Sequence, residues 1–346
     1  MTVYCGVDFH ARLQTVSYCN TADGEIHQRD LHHQRDDIQA FYSQFTGEVI
    51  VGIEASGYSQ WFEDLLDRLG HKLWVGDAAE IRRLARRRQK NDHRDADHIL
   101  ELMMRDEFPR LHRLAQESRE VLRQLRFRHR LVKIATMIKN NLHAIAIGAG
   151  LSLQAKLVSR SGRERFKSLQ LSAVLAQQRD QWLELLDKLN EQIKVVEKWL
   201  KQQAKQDERV LRLQTHPGIG LLSSLGLVHT LCPVSRFATT RKVVAYVGLD
   251  PMEYSSAEKK RVGSISKAGC RLVRFLLGEA AQMSVRSDQQ MRSFYERLLK
   301  RRGKAKAIVA VARKLLVRSF IMLRDKIDYA EFVRRGVEAR SARVYT

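Results

Sequence analysis

The chain has 346 residues, enough to bury a large core and more than one domain. Its 61 Lys and Arg against 39 Asp and Glu give a net charge of +22, which points to a polyanionic partner and argues against an acidic, disordered chain. No apolar stretch is long enough to span a bilayer and no lipidation signal is present, so no membrane partner is expected.

Residues 1–110 alternate strand and helix signals. Strands are expected at 2–8, 13–20, 25–31, 48–54 and 72–76, the first three joined by short turns, one carrying Ala22-Asp23-Gly24. Helical patterns follow at 36–45, 59–69 and 78–89. An antiparallel meander followed by alternating strands and helices is the order of a ribonuclease-H-like α/β domain.

Four carboxylates stand out in this segment. Asp8 ends the apolar run Val3–Val7 and Glu54 ends Val49–Ile53, so each should sit at the C-terminal edge of a buried strand. Asp92 and Asp95 are three apart, which puts both on one face of a helix. Asp97 falls about 200° away around such a helix and is left out. Four acids brought together need a counter-charge, and for oxygen-only ligands that is Mg²⁺ or Mn²⁺. The surrounding Arg82, Arg83, Arg86, Arg87, Arg88 and Lys90 would supply phosphate-binding charge. Metal-assisted phosphodiester chemistry is the reaction class this combination suits.

From 111 to 212 the strand signal vanishes and a coiled-coil helical linker is expected. Leu122, Leu125, Val132, Ala135, Ile138, Leu142 and Ile145 line one helix face, and Trp182, Leu186, Leu189, Ile193, Val196 and Leu200 step by four and three in a second. Such a seam can close an antiparallel hairpin within the chain or join two protomers, and the sequence leaves both uses open.

Residues 213–346 read as a mostly helical domain with a loop-rich insertion. It opens on His216-Pro217-Gly218-Ile219-Gly220, which resembles a helix-hairpin-helix turn in which Gly218 and Gly220 let backbone N–H groups approach a phosphate. Further on, Ser255 and Ser256 precede Lys259, Lys260, Arg261 and Lys267, all candidate phosphate contacts. No His suits a triad with these serines, so a nucleophile here would need activation by a metal or an Arg. From Lys259 to Arg318 there are 17 basic and 3 acidic residues, a local net of +14. Cys5, Cys19, Cys232 and Cys270 are scattered and read as inert thiols in a reducing compartment. With no signal-peptide pattern at the N-terminus, a cytoplasmic location is expected.

Taken together these blocks are similar to a known family. Gly6-Val7-Asp8, Gly52-Ile53-Glu54-Ala55-Ser56-Gly57 and Lys90-Asn91-Asp92-His93-Arg94-Asp95-Ala96 resemble the acidic blocks of the DEDD transposases of bacterial insertion sequences, relatives of the Piv invertase. His216–Gly220, Ala245–Pro251, Tyr254-Ser255-Ser256 and Ser266–Gly269 resemble that family's C-terminal transposase domain in order and spacing. The resemblance implies a RuvC-like N-terminal fold, an acid quartet that uses divalent metal, and a serine nucleophile that becomes joined to DNA; the matching position is Ser256, although Ala257 stands where the family usually has Gly. It further implies a structured noncoding guide RNA, the bridge RNA, and homodimers that pair into tetramers.

The expected protein is therefore α/β plus all-α: a RuvC/ribonuclease-H-like domain at 1–110, the helical linker, and the serine-bearing domain. The expected activity is DNA transposition through phosphoserine intermediates. Two rivals stand beside it. One is a RuvC-like nuclease or resolvase that uses water; the other is a basic nucleic-acid-binding scaffold with no catalysis.

Overall fold

The computed structural model describes residues 1–33, 36–57, 59–85, 91–150, 159–253 and 262–344, in two compact units, Met1–Arg113 and Leu114–Thr346. The first holds one five-stranded sheet. β1 (Thr2–Phe9), β2 (Leu13–Asn20) and β3 (Ile26–His32) form an antiparallel meander; β4 (Glu48–Glu54) and β5 (Lys72–Gly76) add in parallel beside β1, giving the order β3-β2-β1-β4-β5. Each strand lies within one residue of its expected span.

Side chains on a strand alternate between faces, and here the alternation decides where the acids go. Val3, Cys5, Val7 and Phe9 of β1 and Val49, Val51 and Ile53 of β4 join one core with residues of α1 (Asp37–Ser43) and α2 (Gln60–Arg68). The intervening positions face α4 (Asp92–Met104), whose Ile99, Leu102 and Met103 pack with Ile50, with Ile81 of α3 (Ala78–Leu84) and with Phe108. Asp8 and Glu54 are even-numbered and fall on the α4 side. Gly6 lets α4 lie flat there: a β-carbon on Gly6 would meet the Ala96 carbonyl oxygen at 2.5 Å.

Among its described residues the second unit is helical apart from one hairpin. Its elements are α5 (Gln116–Gly148), α6 (Arg160–Lys167), α7 (Ala173–Lys205), α8 (Glu208–Gln214), α9 (Leu221–Leu231), α10 (Thr240–Val247), β6 (Pro251–Glu253), β7 (Val262–Ile265), α11 (Arg271–Ser287), α12 (Gln289–Arg324) and α13 (Tyr329–Val344). α12 is interrupted at Gly303, whose φ of 75° leaves the helical region. A mixed α/β unit followed by a mostly helical one is the coarse fold class expected.

Helices α5 and α7 pack on each other. At one end Ala135, Ile138, Leu142, Leu183 and Leu186 form their own core with Phe166; at the other Leu122, Leu125, Val196 and Leu200 merge into the core of α9, α11 and α12. The Trp182–Leu200 seam therefore faces α5 of the same chain, the hairpin use of the two left open by the sequence. Leu186, Val196 and Leu200 are buried there, and Trp182, Leu189 and Ile193 are half-buried.

Candidate functional site

The acids converge because three elements end at one edge of the sheet. β1 delivers Asp8 and β4 delivers Glu54 on the same face. α4 carries Asp92 and Asp95 in its first turn, and Ala96, Ile99, Leu100 and Met103 continue the inward stripe by threes and fours. Asn91 caps the helix by accepting from the His93 N–H, and carboxylates in a first turn are favoured by the helix dipole. All four acids line one open cleft of about 720 Å³ with Arg82 and Arg83 of α3. Asp97 points elsewhere, accepting from Ser17 Oγ at 2.6 Å and Gln28 Nε2 at 2.7 Å, in keeping with its omission.

The tightest part of the site contains a residue the sequence reading missed. His10 Nε2 lies 3.1 Å from Asp8 Oδ2 and 3.6 Å from Asp92 Oδ1. One ligand atom from each of these three residues falls within 4.8 Å of the others, close enough to share a cation. His10 lies one residue beyond the end of β1, and the packing of α4 against that strand end brings it to Asp92. Glu54 lies on the same cleft and pairs with Arg82 at 3.5 Å.

The electrostatics fit a cation. Burial pushes the Asp8 carboxyl above the usual Asp range, and the negative charges of Asp95 and Asp92 push it further, against the pull of His10. Asp8 is 18% exposed and Asp92 56%, so the cleft runs from a desolvated acid to a solvated one. Crowded, oxygen-rich and partly desolvated, the donor set suits Mg²⁺ or Mn²⁺.

Of the expected phosphate contacts in this unit, Arg82 and Arg83 line the cleft; Arg83 also pairs with Glu80 at 2.8 Å. Arg86, Arg87, Arg88 and Lys90 lie outside the described residues.

In the second unit, Gly218 and Gly220 sit between α8 and α9. Gly218, with φ of 93°, is pressed against Ser284 of α11, whose hydroxyl donates to Pro217 O at 3.0 Å. Gly220 caps α9, and its N–H donates to Ser223 Oγ. Ser255, Ser256, Lys259, Lys260 and Arg261 lie outside the described residues, but the hairpin that brackets them is described. β6 pairs with β7, Ser266 Oγ donates to Asp250 at 2.5 Å, and Arg274 of α11 donates to the carbonyls of Val247, Ala268 and Gly269. This clamp fixes the hairpin base, where Lys267 is exposed with φ of 57°.

Residues 210–296 match the family described as Transposase IS116/IS110/IS902, and residues 5–147 match the DEDD transposase model of the IS110 group. The chain belongs to the IS110 family of insertion-sequence transposases. Among this member's relatives are the transposase for insertion sequence element IS1111A of Coxiella burnetii, 31% identical over 65% of this chain and 64% of that protein, and a probable family 20 transposase of Pseudomonas aeruginosa, 26% identical over 81% and 85%. The transposase for IS1328 of Yersinia enterocolitica is 27% identical over 68% and 70%. The DEDD match covers Asp8, Glu54, Asp92 and Asp95, and the IS116/IS110/IS902 match covers the serine hairpin of this family member.

Proposed function

We propose that this chain is a DNA transposase-recombinase with a RuvC/ribonuclease-H-like N-terminal unit. The observation that carries the reading is the shared cleft of Asp8, Glu54, Asp92 and Asp95 in a chain of net charge +22. The strand order and the position of the acids at one sheet edge support it, as do the family matches. Asp8, Glu54, Asp92 and Asp95 would hold Mg²⁺ or Mn²⁺, with His10 beside them. A divalent ion held there would neutralise charge on the scissile phosphate and lower the pKa of a coordinated hydroxyl.

Ser256 is the proposed nucleophile. Its Oγ loses a proton and attacks phosphorus, a phosphoserine ester forms, and a deoxyribose hydroxyl leaves with a proton. Attack by another deoxyribose hydroxyl reverses the exchange and frees the serine, so strands are rejoined with no ATP. Arg82, Arg83, Arg86, Arg87, Arg88, Lys90, Lys259, Lys260, Arg261 and Lys267, with the Gly218 and Gly220 turn, are the proposed phosphate contacts. A noncoding guide RNA, homodimers pairing into tetramers, a composite centre with acids from one protomer and Ser256 from another, and action in the cytoplasm complete the proposal by family likeness.

The test is capture of a covalent protein–DNA adduct on a substrate carrying the element's ends. The adduct should form with Mg²⁺, fail in Ser256→Ala, and fail in Asp8→Ala. Cleavage with no adduct would favour the water-using nuclease instead.

A further inference from the structure

A second basic cleft lies in the helical unit, between α5 and the start of α11. Arg126, His129, Arg130 and Lys133 follow one another at three- and four-residue steps on α5, which stacks them on one helix face. Arg271 opens α11 opposite them, and Phe275 stands one turn further on. These six side chains line an open cleft of about 380 Å³. Its walls are held by α9 between them, where Gly226 faces Leu276 of α11 and Leu125 of α5.

Arg128, on the neighbouring face of α5, is paired with Glu197 at 2.7 Å. Among the described residues Arg126, Arg130, Lys133 and Arg271 have no such carboxylate partner. The ring between them registers the field: burial lowers the pKa of His129, and Lys133, Arg128 and Arg271 lower it further. That ring packs against Phe275 with centroids 4.6 Å apart and planes at 56°, while Phe275 remains 45% exposed.

Four unpaired cations round an exposed aromatic ring form the chemistry of a site for a nucleic-acid strand, with phosphates on the cations and a base on the ring. A duplex hides its base faces and gains nothing from Phe275. We infer that this cleft binds an unpaired nucleotide segment, with Arg126, Arg130, Lys133 and Arg271 on its phosphates and Phe275, backed by His129, stacking a base. The inference rests on the nucleic-acid reading above and adds to it a binding site built from α5 and α11.

Binding of the full-length chain to fluorescein-labelled mixed-sequence oligonucleotides of about 12 nucleotides tests this, in EDTA so that no strand is cut. Single-stranded DNA, single-stranded RNA and duplex DNA are the three probes. The triple variant Arg126→Ala/Arg130→Ala/Lys133→Ala should bind a single strand at least about tenfold more weakly, with a salt slope shallower by about 2. Phe275→Ala should weaken single-strand binding about fivefold or more without changing that slope, and Phe275→Trp should restore it. Loss on one of the two single strands identifies the source of the segment, and equal loss on both marks a site for the shared backbone.

Single-strand binding unchanged in a triple variant that melts like the parent overturns the inference, as does equal loss on duplex and single strands. If the parent binds no nucleic acid, the proposed function fails with it. If the parent binds and the cleft variants bind equally well, this inference alone fails.

Discussion

Gly6 on β1 and Ala96 on α4 approach so closely that no side chain fits between them. This contact sets how far α4 stands off the sheet, and with it the separation of Asp8 from Asp92 and Asp95. Gly6→Ala should force α4 outward, lower stability by about 1–3 kcal/mol through overpacking, and weaken divalent-metal binding. Thermal melting with and without Mn²⁺ checks it; a variant with parental melting and parental Mn²⁺ affinity would show that the contact does not set the site.

Asp8 carries a raised pKa, and the sign of its effect on stability follows. The folded chain holds the Asp8 proton to higher pH than the unfolded chain, so stability falls as pH rises from the ordinary Asp range through the raised value. Asp8→Asn removes that loss. Without metal the variant should melt at or above the parent temperature at neutral pH, and the difference should vanish in acid, where both side chains are neutral. Mg²⁺ should raise the melting temperature of the parent more than that of the variant.

His10 touches both Asp8 and Asp92. If it holds or orients the cation, His10→Ala should reduce Mn²⁺ affinity by about tenfold or more, the scale on which supporting groups act at metal sites. Titration calorimetry reads this directly. Unchanged affinity would leave His10 as a counter-charge only.

A buried network stands behind the Pro217–Gly220 turn. Arg318 donates to Asp288 Oδ2 at 2.7 Å, Tyr329 Oη donates to the same oxygen at 2.6 Å, and Arg318 Nη1 lies 3.4 Å from His216 Nε2. Asp288→Ala would strand the buried Arg318 charge and should cost about 3–5 kcal/mol. Urea unfolding measures it; a cost below about 1 kcal/mol would show that water solvates Arg318 in the variant.

The same network predicts an acid sensitivity. Burial, more than the Arg318 charge, depresses the His216 pKa from 6.5 to about 4, although the contact with Pro217 O opposes it. The unfolded chain binds the His216 proton first, so stability should fall as pH drops from 6.5 to about 4, at up to about 1.4 kcal/mol per pH unit. His216→Gln should flatten that part of the profile. An unchanged slope would place the acid lability elsewhere, for instance at His229, which burial also depresses.

Much of the first unit could be read from the chain because its signals are local. A two-residue period fixes which strand positions share a face, so Val7 and Ile53 going inward sends Asp8 and Glu54 to the other side, and a three-residue spacing does the same for Asp92 and Asp95. His10 needed the register of β1 against α4, which no local pattern encodes. The Trp182–Leu200 seam was legible as a seam, but its partner was not, because hydrophobic spacing states that a face is buried and says nothing of what covers it. The basic cleft was harder still. Arg126 and Arg271 are remote in sequence, and only the packing of α5 and α11 on α9 makes them neighbours.

Asp8 and Glu54 are made before Asp92 and Asp95, so the proposed four-acid site is complete only once α4 has formed and packs across the sheet at Gly6. Through Met104 the chain carries 12 Lys and Arg against 17 Asp and Glu, a net of −5, so the basic excess of the whole protein comes entirely from the residues that follow. The proposed cation site thus belongs to the first-made, acidic part of the chain, and the charge proposed to hold nucleic acid is added for the most part after it.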